Sequence, residues 1–531
     1  MIRTLNMIVL LSFVIFTNDD DDDDDDDDDV VDDDDDGTMM KTTIVALSPR
    51  GFLLLKRHVL SPEGDRLVAQ EFPEDALKAT LSSCITLPID FISLDDDMFE
   101  LGLRDCYSNL HMCHKKGDYH DMVEQISEGL LNVLITCNLK PVIFAQKRVA
   151  ERLRAKINEQ LGRHIYSFEP TKDGENPEID ETPRPILVIA DRIVDFPIML
   201  HHHCEYRPLI HDCLGIHVNT VAIPTKQGKE DNFWCKNLND TIPNVDEEVD
   251  PESPLRAELK QAFRGRILDA HMKIVTNLAE EIEKRGLDDF YEVESKILSK
   301  PHAPNIDAIE DLLSGYKIQV PEEDRVKISC TANDRMRLFL ILYMCCSLED
   351  ELLQELFKYV RAGGSDTSVF SHLLHLKKMD ANLDFGRPKG MVAGILSAST
   401  ERLSLAGTAN VQSSLARMVR QLVIQLQDAL QERMERGGAK GRGDEKLPSS
   451  VEAEISRNFV SFDPFHEMRI CDALADVTHA MVFVNGGGNF VEMMDIRKAL
   501  DQVGVSSCYG TTDMISPDQF LHQLAICGKA G

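Results

Sequence analysis

Short, continuous apolar runs that alternate with helix-like segments constrain the fold of this chain most strongly. Three such runs are "KPVIFA" at 140–145, "PILVIA" at 185–190 and "MVFVN" at 481–485. Residues 122–139 have helical spacing before the first run, and residues 146–161 form a charged amphipathic segment after it. Unbroken apolar runs between helices are typical of strands buried on both faces. The sequence therefore predicts an α/β domain with a parallel sheet and helices on both faces.

A long helical region separates the last of these runs from the others. Between residue 251 and about residue 454, apolar residues recur at steps of three and four in two clear stripes. The stripes are Leu268, Met272, Val275, Ala279 and Ile282, then Leu415, Val419, Leu422, Leu426 and Leu430. We interpret each stripe as the buried side of an amphipathic helix rather than a partner-binding groove. Because the sheet pattern resumes afterwards, the helical region is predicted to be an insertion in one α/β domain.

The N-terminal segment and the net charge limit the choice of partner. The formal charge is −34, and the aspartate tract at 19–29 and 32–36 supplies sixteen of these negatives, so −18 remains elsewhere. An acidic surface disfavours nucleic acid and anionic membranes. The apolar run from Met7 to Phe16 resembles a signal-peptide core, but leader and tract look foreign to the rest, and Met39 or Met40 is an alternative start. Thirteen cysteines without a CxxC pair indicate a reducing compartment.

The densest polar cluster raises the possibility of metal chemistry. Asp191 and Asp195 are possible paired carboxylates, and possible zinc ligands follow at His201, His202, His203, Cys204 and His211. Metal ligands must converge on one point, and three adjacent histidines are expected to point in different directions. We therefore favour capping and packing roles, with a zinc-dependent hydrolase as the rival hypothesis.

The glycine run near the C-terminus raises the possibility of nucleotide binding. Gly486, Gly487 and Gly488 follow an apolar run and precede Asn489 and a helix-like segment. The third spaced glycine of the dinucleotide fingerprint is absent, and the sequence contains neither a P-loop nor a GxSxG nucleophile elbow. The glycines are predicted to form a strand-to-helix turn with positive φ. The residues favour an interaction protein over an enzyme, without cofactor or metal.

The stretch "PILVIADRIVDFPIMLHHHCEYRPLIHDCL" resembles the signature segment of the SM (Sec/Munc-like) family of SNARE regulators. The matching residues are Asp191, Arg192, Asp195, Leu200, His201, His202, Tyr206, His211 and Asp212. "FISLDDDMFEL" before it, and "DNFW", "DDFYEVESKILSK", "DRMRLFLILY" and "SFDP" after it, keep the family's order. The glycine segment Gly486 to Asn489 and the terminal segment from Tyr509 and Gly510 most resemble the Sly branch, which acts between endoplasmic reticulum and Golgi.

The resemblance implies an arch of three domains, of which the first is largely missing here. The expected division is an apolar leader and aspartate tract at 1–40, a remnant of the first domain at 41–90, the first part of the α/β domain at 91–245, a mainly helical domain at 246–460, and the returning part of the α/β domain at 461–531. Two departures are Met199, where proline is usual, and Cys204, where the Sly branch has tryptophan; we expect local repacking around both.

The function that the resemblance implies is regulation of vesicle transport and membrane fusion. Such a protein binds a syntaxin-type (Qa) SNARE and the assembled SNARE complex and promotes complex assembly. It is expected to be a cytoplasmic monomer, attached to ER and Golgi membranes only through SNAREs. The segment before residue 264 is shorter than in the family, which predicts weaker SNARE templating. A degenerate copy that no longer binds its syntaxin stays open as an alternative.

Overall fold

The computed structural model describes most of residues 90–530 and three short strands before them. The main gaps are residues 113–115, 147–148, 161–183, 225–229, 235–270, 319–323, 380–412, 438–454 and 465–473. The aspartate tract, the alternative start methionines and the shortened segment before residue 264 lie outside the described residues. The division of the chain into domains stays a prediction.

Twelve strands occur in the described residues. They are β1 Ile15–Phe16, β2 Ile44–Leu47, β3 Cys84–Thr86, β4 Ile92–Asp95, β5 Met98–Glu100, β6 Val142–Gln146, β7 Ile186–Asp191, β8 Thr220–Pro224, β9 Glu230–Trp234, β10 Phe459–Phe462, β11 His479–Asn485 and β12 Ser506–Thr511. Seven of them form one sheet in the order β10-β6-β7-β11-β12-β5-β4. Strands from both ends of the chain share this sheet, so the α/β unit is interrupted as predicted.

The seven-stranded sheet is parallel in its centre and antiparallel at both edges. β6, β7, β11, β12 and β5 run parallel to their neighbours, whereas β10 is antiparallel to β6 and β4 is antiparallel to β5. The predicted parallel sheet is therefore confirmed in its five central strands, and an antiparallel strand is added at each edge. "FISLDDDMFEL" contains β4, and "SFDP" begins with the last two residues of β10. A tight turn joins β4 to β5 and permits only antiparallel pairing.

The helices outnumber the strands of the main sheet in the described residues. They are α1 Cys106–His111, α2 Lys116–Thr136, α3 Pro197–Leu200, α4 Tyr206–Cys213, α5 Leu287–Ser299, α6 Ile306–Ser314, α7 Ala332–Cys345, α8 Asp350–Ala362, α9 Ser368–Met379, α10 Ser414–Gly437, α11 Phe490–Asp501 and α12 Pro517–Ala530. Residues 271–285 are helical as well. Local signals fix several ends: Thr331 and Asp334 form a capping box at the start of α7.

Helices cover both faces of the sheet, as the apolar runs predicted. Along β7, Ile186 and Val188 lie in a core with α4, α10, α11 and the helix at 271–285. Leu187 and Ile189 point the other way, into a core with α1 and α2. Successive strand residues alternate between faces, so an unbroken apolar run is what a doubly covered strand requires.

A third core belongs to the helical region and to part of the segment after β7. It joins α5, α6, α7, α8, α9 and α12 with Ile193, Phe196 and Leu200. The chain therefore passes from the sheet directly into the helical core within ten residues. The polar residues of this passage lie where the two units meet.

One of the two predicted helical stripes is buried and the other is not. The five residues of the second stripe, from Leu415 to Leu430 on α10, are all buried in the core that α10 shares with the sheet. In the helix at 271–285, by contrast, Met272 is 58% exposed and Val275 48% exposed. Ala279 is exposed too, Ile282 is half-buried against the core, and Leu268 lies outside the described residues. Ile274 and Leu278 form the buried face there. The prediction chose the wrong face of this helix as the buried one, because apolar residues lie on both faces.

Candidate functional site

The signature segment begins where β7 ends, and Asp191 organises this end of the strand. The Asp191 carboxylate accepts a hydrogen bond from the backbone N–H of Ile193 at 3.2 Å and thereby starts a short 3₁₀ turn. The same carboxylate pairs with Arg152 at 3.2 Å. Its backbone N–H donates to the side-chain oxygen of Gln146 on β6. Asp191 therefore lies at the carboxyl end of β7, with both its carboxylate and its backbone N–H in hydrogen bonds.

Arg192, Glu492 and Tyr509 form a buried charge cluster, here called the sheet-end cluster. The guanidinium of Arg192 donates two hydrogen bonds to Glu492, at 2.9 and 2.7 Å. The Tyr509 hydroxyl donates to the same carboxylate at 2.7 Å. All three side chains are at most 2% exposed. A bidentate guanidinium–carboxylate pair fixes both distance and orientation, so this cluster holds β7, α11 and β12 in register.

Asp195 ties the same segment to the start of α10. Its carboxylate accepts hydrogen bonds from the Ser413 hydroxyl at 3.2 Å and from the Ser414 backbone N–H at 2.5 Å. Burial, which the neighbouring Arg192 offsets only in part, raises the pKa of Asp195 to about 6. The two aspartates of the segment therefore serve separate partners and do not form a catalytic pair.

The glycine run is a strand-to-helix turn, as predicted. Gly486 and Gly487 both have φ +102°, a conformation that side chains rarely adopt. The backbone N–H groups of both donate to the Thr512 hydroxyl. A Cβ on Gly488 would collide with the Tyr509 hydroxyl. The run thus lets the turn close over the sheet-end cluster.

Asn489 ends this turn, and Gly510 lies on the neighbouring strand β12. The Asn489 side chain caps α11 by accepting from the Glu492 N–H at 2.8 Å, and it donates to the Ile198 carbonyl at 2.8 Å. It therefore links the glycine turn to α3 of the signature segment. A Cβ on Gly510 would enter the ring of Phe99, so this glycine allows β12 and β5 to pack closely.

A second group of buried charges lies between the signature segment and the helical region. We call it the junction cluster, and its members are His202, Asp212, Arg285, Glu294, Asp334 and Arg337. The His202 ring lies between Glu294, at 2.8 Å from Nδ1, and Asp334, at 3.1 Å from Nε2. Arg337 donates to the Leu200 carbonyl at 2.6 Å. These contacts fix the segment after α3 onto α5 and α7.

Four further ion pairs, made by Arg285 and Arg337 with Asp212 and Asp334, extend the junction cluster toward α4. Arg285 contacts Asp334 at 2.5 Å, and Arg337 contacts Asp212 at 2.8 Å. Burial alone would raise the pKa of Asp334, but His202 and Arg285 outweigh it and hold that pKa far below its usual range. Burial likewise opposes ionisation of Asp212, yet Arg337 keeps its pKa lowered. Both carboxylates are therefore ionised in the fold.

The other histidines of the segment are buried but differently partnered. His201 and His203 contact each other, with 2.9 Å between Nδ1 and Nε2, so the prediction that adjacent histidines diverge was wrong for this pair. Burial lowers the pKa of His203 to about 3 and that of His201 well below its usual value. His211 packs edge-on against Phe490, and burial lowers its pKa to about 4.

Tyr206 and the two family departures have less central positions. The Tyr206 hydroxyl lies 2.7 Å from His271 Nδ1. Met199 is buried in the helical core, and its sulfur accepts a contact from the Asn489 side chain at 3.4 Å. Cys204 is exposed, with its sulfur 3.7 Å from Asp288. The expectation of local repacking around Met199 and Cys204 stays a prediction.

The proposed zinc ligands do not converge. Asp191 contacts Arg152, Asp195 contacts α10, and His201 contacts His203. Across the described ranges, no group of three or more His, Cys, Asp or Glu side chains is arranged to hold a metal ion. Buried, mutually neutralised charges of this kind fix the geometry of a protein. They give no chemical support to the hydrolase hypothesis.

Sequence reasoning identified a basic residue of each cluster and missed the carboxylates that pair with it. It singled out Arg192 and His202 but not Glu492, Glu294 or Asp334, which neutralise them. A usable signal existed for Asp334, because charged residues inside the apolar run "DRMRLFLILY" must be buried and hence paired. For Glu492 the chain separation of 300 residues left no local signal.

Most of the chain matches one known protein family. The Sec1 family model matches residues 55–252 and 260–523 of the chain. In the part of the chain that the structure describes, every helix is too short or too polar to cross a membrane.

Several named proteins resemble this chain in sequence, and solved structures resemble it in fold. Protein sly1 of Schizosaccharomyces pombe is 25% identical over 536 residues, covering 87% of this chain and 80% of its own length. Sec1 family domain-containing protein 1 of Homo sapiens is 24% identical over 524 residues, covering 83% and 76%. The crystal structure of Sly1p in complex with an N-terminal peptide of Sed5p matches with TM-score 0.59 and 18% identity, covering 92% of this chain and 84% of that one. The SM protein Vps45 in complex with the Qa SNARE Tlg2 matches with TM-score 0.57 and 16% identity, covering 92% and 87%.

Proposed function

This chain belongs to the Sec1 family, and on that premise we propose that it regulates vesicle transport by binding a syntaxin-type SNARE and promoting SNARE complex assembly. The observation that carries the proposal is the extent of the family match, which covers both the sheet and the helical region. Relatives named sly1 match in sequence. The structures most useful for comparison are SM proteins with a Sed5p peptide and with Tlg2.

The two buried charge clusters support a scaffolding mechanism. The sheet-end cluster fixes β7, α11 and β12 to one another, and the junction cluster fixes the signature segment to α5 and α7. A rigid joint of this kind suits a protein that must hold two SNARE segments in register. SNARE motifs are disordered alone, and pre-aligning them removes part of the ordering cost before the bundle forms.

The finer assignments extend this proposal. We propose action between endoplasmic reticulum and Golgi, because the sly1 relatives point to that branch. The protein would then be a cytoplasmic monomer attached to these membranes through its SNARE partners. Sec1 relatives act as regulators rather than as known enzymes, and we propose the same for this chain. Residues 91–245 and 461–531 would form the α/β domain, because both contribute strands to one sheet.

Isothermal titration calorimetry with purified components tests partner binding. The full chain is titrated with the cytosolic region of the syntaxin-type SNARE of the same organism that is most similar to Sed5p, and separately with a plasma-membrane syntaxin. Saturable one-to-one binding to the Sed5p-like SNARE, and weaker binding to the other, is the expected result. Equal failure to bind both would contradict the proposal and favour the degenerate copy.

A further inference from the structure

Both ring nitrogens of His202 lie against carboxylate oxygens. Nδ1 is 2.8 Å from Glu294 and Nε2 is 3.1 Å from Asp334. An ionised carboxylate can only accept hydrogen bonds, whereas a neutral imidazole carries a proton on only one nitrogen. With a neutral ring, one of these two contacts would therefore place two acceptors face to face. The geometry fits an imidazolium that donates from both nitrogens.

The charge balance of the junction cluster leads to the same protonation state. Its three carboxylates belong to Glu294, Asp334 and Asp212, and its two guanidiniums belong to Arg285 and Arg337. One more positive charge is needed for neutrality. An uncompensated charge is costly where side chains are almost fully buried.

The neighbouring histidines do not provide that charge. His201 and His203 face the cluster from the same segment, but burial keeps the pKa of both below the neutral range. From α5, Ser295 and Tyr291 face His201, and neither adds a charge at neutral pH. Lys498 on α11 faces His203 and lowers the pKa of that ring further. Among the described residues that face the cluster, His202 is therefore the group that can complete the balance.

We propose that His202 is a protonation-dependent lock that joins the signature segment to the helical region. When the imidazolium loses its proton, the junction cluster keeps three carboxylates against two guanidiniums and loses a hydrogen bond. The contacts of the segment after α3 with α5 and α7 then weaken. This property is independent of SNARE binding, since it concerns only the stability of the joint.

The direction of the pH effect follows from the environment of the ring. Burial and Arg337 favour neutral His202, but Glu294 and Asp334 outweigh them and raise its pKa above the usual value. A raised pKa stabilises the fold fully below the unfolded pKa of about 6.5, and this contribution is lost as pH rises through the folded pKa. Each unit by which the folded pKa of His202 exceeds its unfolded pKa corresponds to about a tenfold change in the opening equilibrium.

Hydrogen exchange of the full chain between pH 6 and pH 9 tests the lock. Exchange is corrected for its intrinsic pH dependence and compared between α5 and α7, on the joint, and α10, away from it. In the wild-type chain, protection of α5 and α7 should fall with rising pH by more than that of α10. Equal loss in all three helices would overturn the proposal.

Two test variants and one control variant separate His202 from other titrating groups. Glu100 is one such group, because burial raises its pKa to about 7. His202→Gln should flatten the pH dependence at α5 and α7, whereas the neighbouring His203→Gln should keep it. Glu294→Gln removes one carboxylate, so a neutral ring balances the cluster and the loss should move to lower pH. Unchanged pH dependence in both His202→Gln and Glu294→Gln would overturn the lock. If His202→Gln does not fold, the wild-type and Glu294→Gln profiles still decide.

Discussion

Replacing Arg192 by methionine tests the sheet-end cluster most sharply. Methionine keeps much of the length of the side chain but removes the charge and all four hydrogen bonds, two to Glu492 and one each to the Gly487 and Asp195 carbonyls. Glu492 is fully buried. It would retain only the Tyr509 hydroxyl as a side-chain partner.

The expected cost follows from leaving that carboxylate without its counter-charge. Removing one partner of a buried ion pair destabilises a protein by about 3–5 kcal/mol. The cost should be smaller at pH 5 than at pH 8, because burial without a counter-charge favours the protonated form of a carboxyl group. Arg192→Met combined with Glu492→Gln should recover most of the loss, since the neutral amide can still accept from Tyr509.

Urea unfolding followed by circular dichroism measures these costs in the wild type, both single variants and the double variant. A double-mutant cycle then isolates the pair, because the remaining contacts are common to its corners. The reasoning would be refuted if Arg192→Met cost less than about 1 kcal/mol, or if the double variant were no more stable than Arg192→Met alone.

Four further substitutions test the packing, each by the same unfolding measurement. Gly510→Ala should cost about 1–3 kcal/mol, because the new methyl group enters the Phe99 ring; a neutral result would show that the ring can move away. Asn489→Ala should cost about 1 kcal/mol from the lost cap of α11, and more if the link to α3 contributes. Leu278→Ala should cost about 2–5 kcal/mol and Met272→Ala less than about 0.5 kcal/mol, because only the first is buried; the reverse order would contradict the observed helix orientation.

The sequence was most informative where local chemistry decides structure. Unbroken apolar runs identified β6, β7 and β11, because doubly covered strands cannot alternate polar and apolar residues. The glycine turn was predictable, since Gly486 and Gly487 adopt positive φ before the capping residue Asn489. The signature residues were found through resemblance, and their roles in the fold were not.

What sequence reasoning missed depends on contacts between distant parts of the chain. Arg192 pairs with Glu492 across 300 residues of chain, and His202 pairs with Asp334 across 132 residues. The exposed stripe at Met272 was misread because a helix with apolar residues on two faces does not reveal which face is covered. The antiparallel edges were missed because β10 and β4 lie outside the apolar runs on which the prediction rested.

A reconstituted SNARE assembly assay tests the central claim most directly. The Sed5p-like SNARE and its partner SNAREs are mixed with and without the full chain, and the rate of four-helix bundle formation is followed by fluorescence energy transfer between labelled SNARE motifs. The account predicts a saturable acceleration with the Sed5p-like set and little effect with a plasma-membrane set. An unchanged rate with the Sed5p-like set, at concentrations where binding is complete, would contradict it.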